Sequence, residues 1–276
     1  MCIRDSFKEV WVAESRSAIA PLSSQGTLAK NAYLGFFFNE TFTEFDNATD
    51  AIKHFDLNYI GLDMNVERGG NNQKKFILKP KDKNYSSFEL RHASSGIQTT
   101  APLIAMMNYY AQAFDFKSAQ KRSIIDLLFE KNLTTQYRPE MELTDMPQYV
   151  HIHIEEPELS LDPTSQIQML NEIIRLAFYS KVDSREIGLV LATHSPYIIN
   201  SLNLLMKAHD CKTDIDGAHV DYDDLSVYQI LSGGVVDLKV KNIHYVNTDR
   251  LSEDINNIYD KYQELKQLQN EESLGK

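Results

Sequence analysis

Cysteine is nearly missing from this 276-residue chain, which carries only Cys2 and Cys211. Two thiols cannot build the disulfide framework of a small secreted domain, and the expectation is a reducing, cytoplasmic setting. Basic residues are also short. Lys and Arg number 28 against 39 Asp and Glu, a net charge of -11, so the chain as a whole offers no basic footprint for nucleic acid or an anionic membrane. No apolar run approaches the roughly 18–20 residues of a membrane span, and no signal-peptide pattern is present. Internal repeats and low-complexity tracts are lacking as well. What remains is a globular composition, 42% apolar and 24% charged, long enough for one large domain or a domain with an inserted lobe.

The opening MCIRDSFKEV has neither a helix cap nor a targeting signal and passes straight into strand-like sequence, which predicts a start inside a larger domain. Residues 9–13 read as a strand, followed by the turn AESRSAI with Glu14 and Arg16. The aromatic cluster YLGFFFNETF precedes NATDAIKHF, which reads as a short helix behind an Asn/Thr cap. ERGGNNQKK (67–75) is a loop by composition. KFILKP and SSFELRHA read as a β-hairpin about KDKN, and TTAPLIAMMNYYAQAF as an apolar helix over 99–114 with Pro102 in its first turn. A further helix is predicted over 118–135, and YRPEMELTDMP is a connection.

The most informative stretch is YVHIHIEEPELSLDP, a strand at 149–154 ending in Glu155 and Glu156. A helix follows, with Ile167, Leu170, Ile173, Ile174 and Ala177 on one stripe. The continuous apolar strand EIGLVLATHS then ends in Thr193, His194 and Ser195, and another helix begins. Strand–helix–strand–helix with such runs predicts a parallel sheet covered on both faces. In such sheets ligand chemistry gathers at the carboxyl ends of the strands. One carboxylate there can hold Mg²⁺ and its neighbour can orient a water, because adjacent residues of an extended strand face opposite ways.

HIHIEEPELSLDP resembles the Walker B strand and D-loop of ABC-type ATPases, and LVLATHSP resembles their histidine-switch strand. ASSGIQ (93–98) resembles their signature motif, and the three occur in the family's order. The E-E-P-E and T-H-S-P forms are most similar to the AAA-type ATPases of the OLD-like and RecF/SMC-like branch, and the resemblance spans residues 9 to 205. It implies a P-loop NTPase-like α/β fold, mainly parallel and with helices on both faces. An antiparallel hairpin and a helical insertion near 116–147 would interrupt it. Residues 1–205 would form the partial ATPase core, with Walker B and D-loop at 149–163 and the switch strand at 187–195. Residues 206–276, late strands and an amphipathic charged helix, would complete the same domain.

By the same resemblance Glu155 takes the Mg²⁺ position, Glu156 that of general base, and His194 that of the switch histidine near the γ-phosphate. Asp162 is the D-loop residue crossing a dimer interface. Ser94, Ser95 and Gly96 lie in the signature turn, which meets ATP held by a second protomer. The implied activity is ATP hydrolysis in a homodimer that sandwiches ATP and drives a partner, such as an effector from a neighbouring gene. DNA maintenance or phage defence is the common setting, although the net charge does not support DNA contact.

One departure is large. The sequence has no G-x-x-x-x-G-K-[ST] loop, and SQGTLAK and ERGGNNQKKF lack its spacing. An N-terminally truncated ATPase accounts for this, as does a degenerate head serving only dimerisation or partner binding. An OLD-type nuclease fragment is disfavoured by the short tail. Other readings compete residue by residue. Glu155-Glu156 could be a solvated strand end, His194 a capping residue at a helix start with Pro196 near its first position, and Ser94-Ser95-Gly96 a turn and N-cap. Glu14 and Arg16 could form an ordinary ion pair. His151 and His153 share a strand face, but no third ligand is evident in sequence, so they read as half-buried histidines rather than a metal pair. VDYDD (220–224) reads as a solvated loop, Phe36 to Phe38 as core, and the last helix as a surface or packing helix.

Overall fold

The computed structural model describes residues 7–23, 35–69, 73–119, 148–182, 185–240 and 242–274. The insertion expected near 116–147 lies almost wholly outside them, as do most of the helix over 118–135 and the connection after it. By internal contacts the chain divides into two compact units, Met1–Thr193 with Asp216–Ala218, and His194–Ile215 with His219–Lys276.

The first unit is α/β. β1 (Phe7–Val12), β6 (Gln148–Glu155) and β7 (Arg185–Ala192) form a parallel sheet in the order β1-β6-β7. Phe7 pairs with Tyr149 and Gln148 with Arg185, so all three strands end along one edge. Strand alternation sends Val10, Val12, Val150, Ile152 and Ile154 to one face, where each is 1% exposed or less. The opposite face carries Glu9, Trp11, Tyr149, His151, His153 and Val190. The expected cover on both faces is not what these residues show, since Trp11 is 39% and Val190 43% exposed. β6 alternates apolar with polar residues, and that half-buried pattern describes the sheet better than the unbroken run in β7 does.

After the short helix α1 (Ile19–Ser23), α2 (Phe36–Ala51) packs against β1 on the buried face. It absorbs both the aromatic cluster and the short helix expected within NATDAIKHF. Its buried residues, Phe38, Thr41, Glu44, Phe45, Ala48 and Thr49, follow a helical stripe. Asn47 and Thr49 stand in its last turns instead of capping a new helix: the Thr49 hydroxyl donates back to Phe45 O at 2.9 Å. Of the three phenylalanines only Phe38 is core, while Phe36 is 65% and Phe37 51% exposed.

A second sheet is antiparallel, in the order β2 (His54–Leu57), β3 (Leu62–Arg68), β4 (Lys74–Pro80), β5 (Phe88–Glu89). β4 and β5 are the expected hairpin. The supposed loop 67–75 is narrower, because β3 and β4 pair to Arg68 and Lys74. α3 (Ser95–Asn108) contacts β2, α2 and the turn after β1, and Ala101 to Met107 are all buried. It is apolar all round, as a helix enclosed between layers must be. It starts four residues earlier than 99, so Pro102 lies inside it rather than in the first turn.

The second unit contains α5 (Pro196–Asp210), the hairpin β8 (Tyr228–Leu231) and β9 (Gly234–Asp237), the short pair β10 (Lys239–Val240) and β11 (Tyr245–Val246), and α6 (Asp249–Leu274). Asn203 on α5 holds β11 twice, donating to Val246 O at 2.9 Å and accepting from Val246 N at 2.7 Å. VDYDD is a turn, with Asp221 accepting from Asp223 N at 3.0 Å. No helix among the described residues is long and apolar enough to cross a membrane.

Glu44 ties the first unit together. It is 5% exposed, receives Lys8 Nζ from β1 at 2.8 Å, and accepts a short hydrogen bond from Tyr110 Oη. Burial foremost, then the Glu44 charge, pushes the Tyr110 phenol upward, so its proton stays in place. Replacing Glu44 with Ala leaves the fully buried Tyr110 hydroxyl unpaired, and the expected loss is about 1–3 kcal/mol in chemical denaturation.

Candidate functional site

The shared edge of the parallel sheet gathers the polar tips. β1 runs into Ala13 and a 3-10 turn, Glu14–Ala18, which carries Arg16. That side chain is fully buried. Its Nη1 donates to Ala13 O at 3.1 Å and to Glu155 O at 2.7 Å, and Nη2 donates to Glu156 O. The expected Glu14–Arg16 ion pair is therefore something else: the guanidinium fork holds the backbone of both glutamates. Burial pulls Arg16 down to about 10, against the opposing field of Glu158, Glu156, Glu14 and Glu155. It stays cationic at neutral pH, one positive charge among four acids.

Glu155 is the last residue of β6 and pairs with Ala192. Its exposed carboxylate accepts from Glu14 N at 3.4 Å. Glu156 lies beyond the strand, so pleat alternation does not govern it as expected. Its backbone is left-handed, φ 41°, and its N–H donates to Ala192 O at 2.8 Å. The chain then turns tightly, with Leu159 N donating to Glu156 O at 3.0 Å and Ser160 again left-handed at φ 63°. Glu158 points toward β7 and accepts from Thr193 Oγ1 at 2.7 Å.

The predicted signature turn meets this acidic turn within the first unit. Ser94 occupies the N-cap position of α3 but makes no side-chain cap bond, and Ser95 is the first helical residue. Gly96 is pressed against the segment after the glutamates: a Cβ there would stand 2.8 Å from Ser160 O and 2.8 Å from Leu161 Cδ2. Thr99 Oγ1, one turn on, approaches Leu159 O at 3.0 Å. Asp162 follows directly and caps α4 (Pro163–Ile174), accepting from Thr164 N at 3.0 Å and Ser165 N at 3.2 Å. Hydrogen bonds from Ser165 hold its carboxyl below the usual aspartate range.

His194 opens the second unit and is exposed. It precedes the helix cap, which is Ser195, whose hydroxyl accepts from Tyr197 N at 3.2 Å with Pro196 at the first helical position. The structure thus brings Glu155, Glu156, Gly96 and Asp162 into one neighbourhood of the first unit, whereas His194 belongs to the second unit. Sequence reasoning undervalued Arg16 and missed Glu158. The available signal was an arginine just beyond an apolar strand that ends beside acids.

The fold and site define an α/β protein with an acidic, arginine-anchored edge on a parallel sheet. No family model and no curated protein matches the chain.

Two outcomes are expected. Arg16→Ala removes the donor to both glutamate carbonyls and leaves them unsatisfied, costing about 1–3 kcal/mol in denaturant titrations. Gly96→Ala forces Cβ into the backbone of Ser160, and thermal unfolding should show a loss of about 1–3 kcal/mol.

Proposed function

We propose that this chain carries the acid-bearing part of an ABC-like AAA-type ATPase head, which hydrolyses ATP to ADP and phosphate and drives a partner through head dimerisation. The observation that supports it best is Arg16 bound to the carbonyls of both Glu155 and Glu156 at the carboxyl edge of a parallel sheet.

The donor set fits a hard cation and a phosphate ligand. Four carboxylates surround one arginine, so the edge has excess negative charge that a divalent ion would neutralise. Mg²⁺ takes one or two carboxylates and completes its shell with water and phosphate oxygens. Glu155 is the residue to hold it, being exposed at the strand tip. When bound, the ion would offset charge on the phosphates. Glu156 is the general base, its carbonyl fixed by Arg16 so that the side chain projects from a defined turn. Glu158 is engaged by Thr193 and serves to hold β7 to the acidic turn. His194 is assigned to the γ-phosphate. Ser94, Ser95 and Gly96 are assigned to ATP on a second protomer, where the N-terminus of α3 favours anions. Asp162 would face the dimer interface while capping α4.

A second reading has its own support. If the encoded protein carries no phosphate-cradling G-x-x-x-x-G-K-[ST] loop ahead of these residues, the chain would serve instead as a non-hydrolysing dimerisation or partner-binding head. One experiment separates the two. In the protein as encoded by its gene, Glu156→Gln should lower ATP turnover by about 10²-fold or more while preserving nucleotide binding. Absence of turnover in the wild type supports the non-hydrolysing reading, and unchanged turnover in the variant removes Glu156 as base.

A further inference from the structure

The open face of the parallel sheet holds a second group of chemically active side chains. His151 and His153 are two apart on β6 and so project to the same side. The sequence offered them no third partner, but the fold does. β1 lies parallel to β6 with Glu9 directly opposite His151. The two Glu9 oxygens divide between the imidazoles: Oε2 is 2.8 Å from His153 Nε2, and Oε1 is 3.7 Å from His151 Nδ1. One ligand atom from each residue falls within 4.8 Å of the other two, and no other such trio of His, Cys, Asp or Glu occurs among the described residues.

The surroundings are shaped for this group. Trp11 stacks on His153, centroids 4.0 Å apart and planes within 8°, which fixes the ring that faces Glu9. On the other side β7 presents Gly188, where a Cβ would fall 2.3 Å from Tyr149 Oη and 3.0 Å from His151 Cδ2. The absent side chain leaves room for Tyr149 and His151 to lie over β7.

We propose that Glu9, His151 and His153 form a binding site for a divalent transition cation of the Zn²⁺ type. Two imidazoles and one carboxylate suit such an ion and do not suit Mg²⁺ or Ca²⁺, which prefer all-oxygen shells. A tetrahedral shell with bonds of about 2.1 Å sets ligand atoms about 3.4 Å apart, so the Glu9–His153 contact of 2.8 Å would lengthen and the Glu9–His151 distance of 3.7 Å would shorten slightly. The ion would take the place of the Glu9–His153 hydrogen bond and brace β1 against β6. Glu9 is exposed, so the fourth coordination position opens to solvent, as in zinc sites that bind water or substrate. This site is distinct from the acidic edge in its donors and in its metal.

The chain contains a single tryptophan, and it is the one stacked on His153. Its fluorescence therefore reports on this site, and the Glu9 and His151 variants separate it from an ion held at Glu155. The chelator-stripped 276-residue protein is titrated with Co²⁺, following Trp11 quenching and the visible absorption of the ion, and Zn²⁺ is then added as competitor. Saturable quenching at one equivalent, reversed by Zn²⁺, is expected. His151→Ala and Glu9→Gln, both on the solvent side of the sheet, should weaken it by about tenfold or more. Circular dichroism of the metal-free variants confirms that they are folded. Quenching that does not saturate, or that persists unchanged in folded His151→Ala, overturns the proposal and leaves Glu9–His153 as a structural hydrogen bond only.

Discussion

Arg16 is the constraint on which the acidic edge depends. A guanidinium with no solvent exposure must find hydrogen-bond acceptors inside the protein, and here they are backbone carbonyls of two different strand ends. The four nearby acids then supply the field that keeps it charged. Removing it would unfasten the β6 tip from the β1 turn, and with it the direction in which Glu155 and Glu156 project. A second arginine follows the same logic at the far end of the sheet: Arg185, at the start of β7, donates to Tyr110 O and Phe114 O, both at 2.8 Å. Planar, always-charged groups thus fasten irregular backbone at both ends of the parallel sheet.

The acidic turn is also held from below. α3 presents Gly96 and Thr99 to Leu159, Ser160 and Leu161, and its apolar body reaches the antiparallel sheet. The order of packing from the first sheet through the turn to the second sheet therefore runs through one buried helix. A side chain at Gly96 would separate these layers, which makes a glycine in the predicted signature turn a packing requirement whatever ligand it serves.

Much of this was legible from local patterns. The ends of β6 and β7 were visible because apolar runs stop at Glu155 and Thr193, whereas the helix caps were not: Ser195 rather than His194 caps the helix before Pro196, and Asp162 caps α4. α2 was misread because Asn and Thr favour caps, while here the Thr49 hydroxyl turns back into its own helix. The open sheet face was obscured by the unbroken apolar run in β7. Glu9 was beyond reach for a different reason: it meets His153 across 144 residues, and no local rule sets the register between β1 and β6. The anchoring role of Arg16 was hidden by the same distance.

Glu156 has a final implication. Left-handed backbone at a residue with a side chain costs on the order of 1 kcal/mol, and glycine adopts it freely. A chain that needed only to leave the strand and enter a turn would be better served by glycine at this position. Glutamate there works against local conformational preference, and it is kept in place by Arg16 on one side and Ala192 on the other. The turn is thus a spring held closed by its neighbours, with a carboxylate as the part on display.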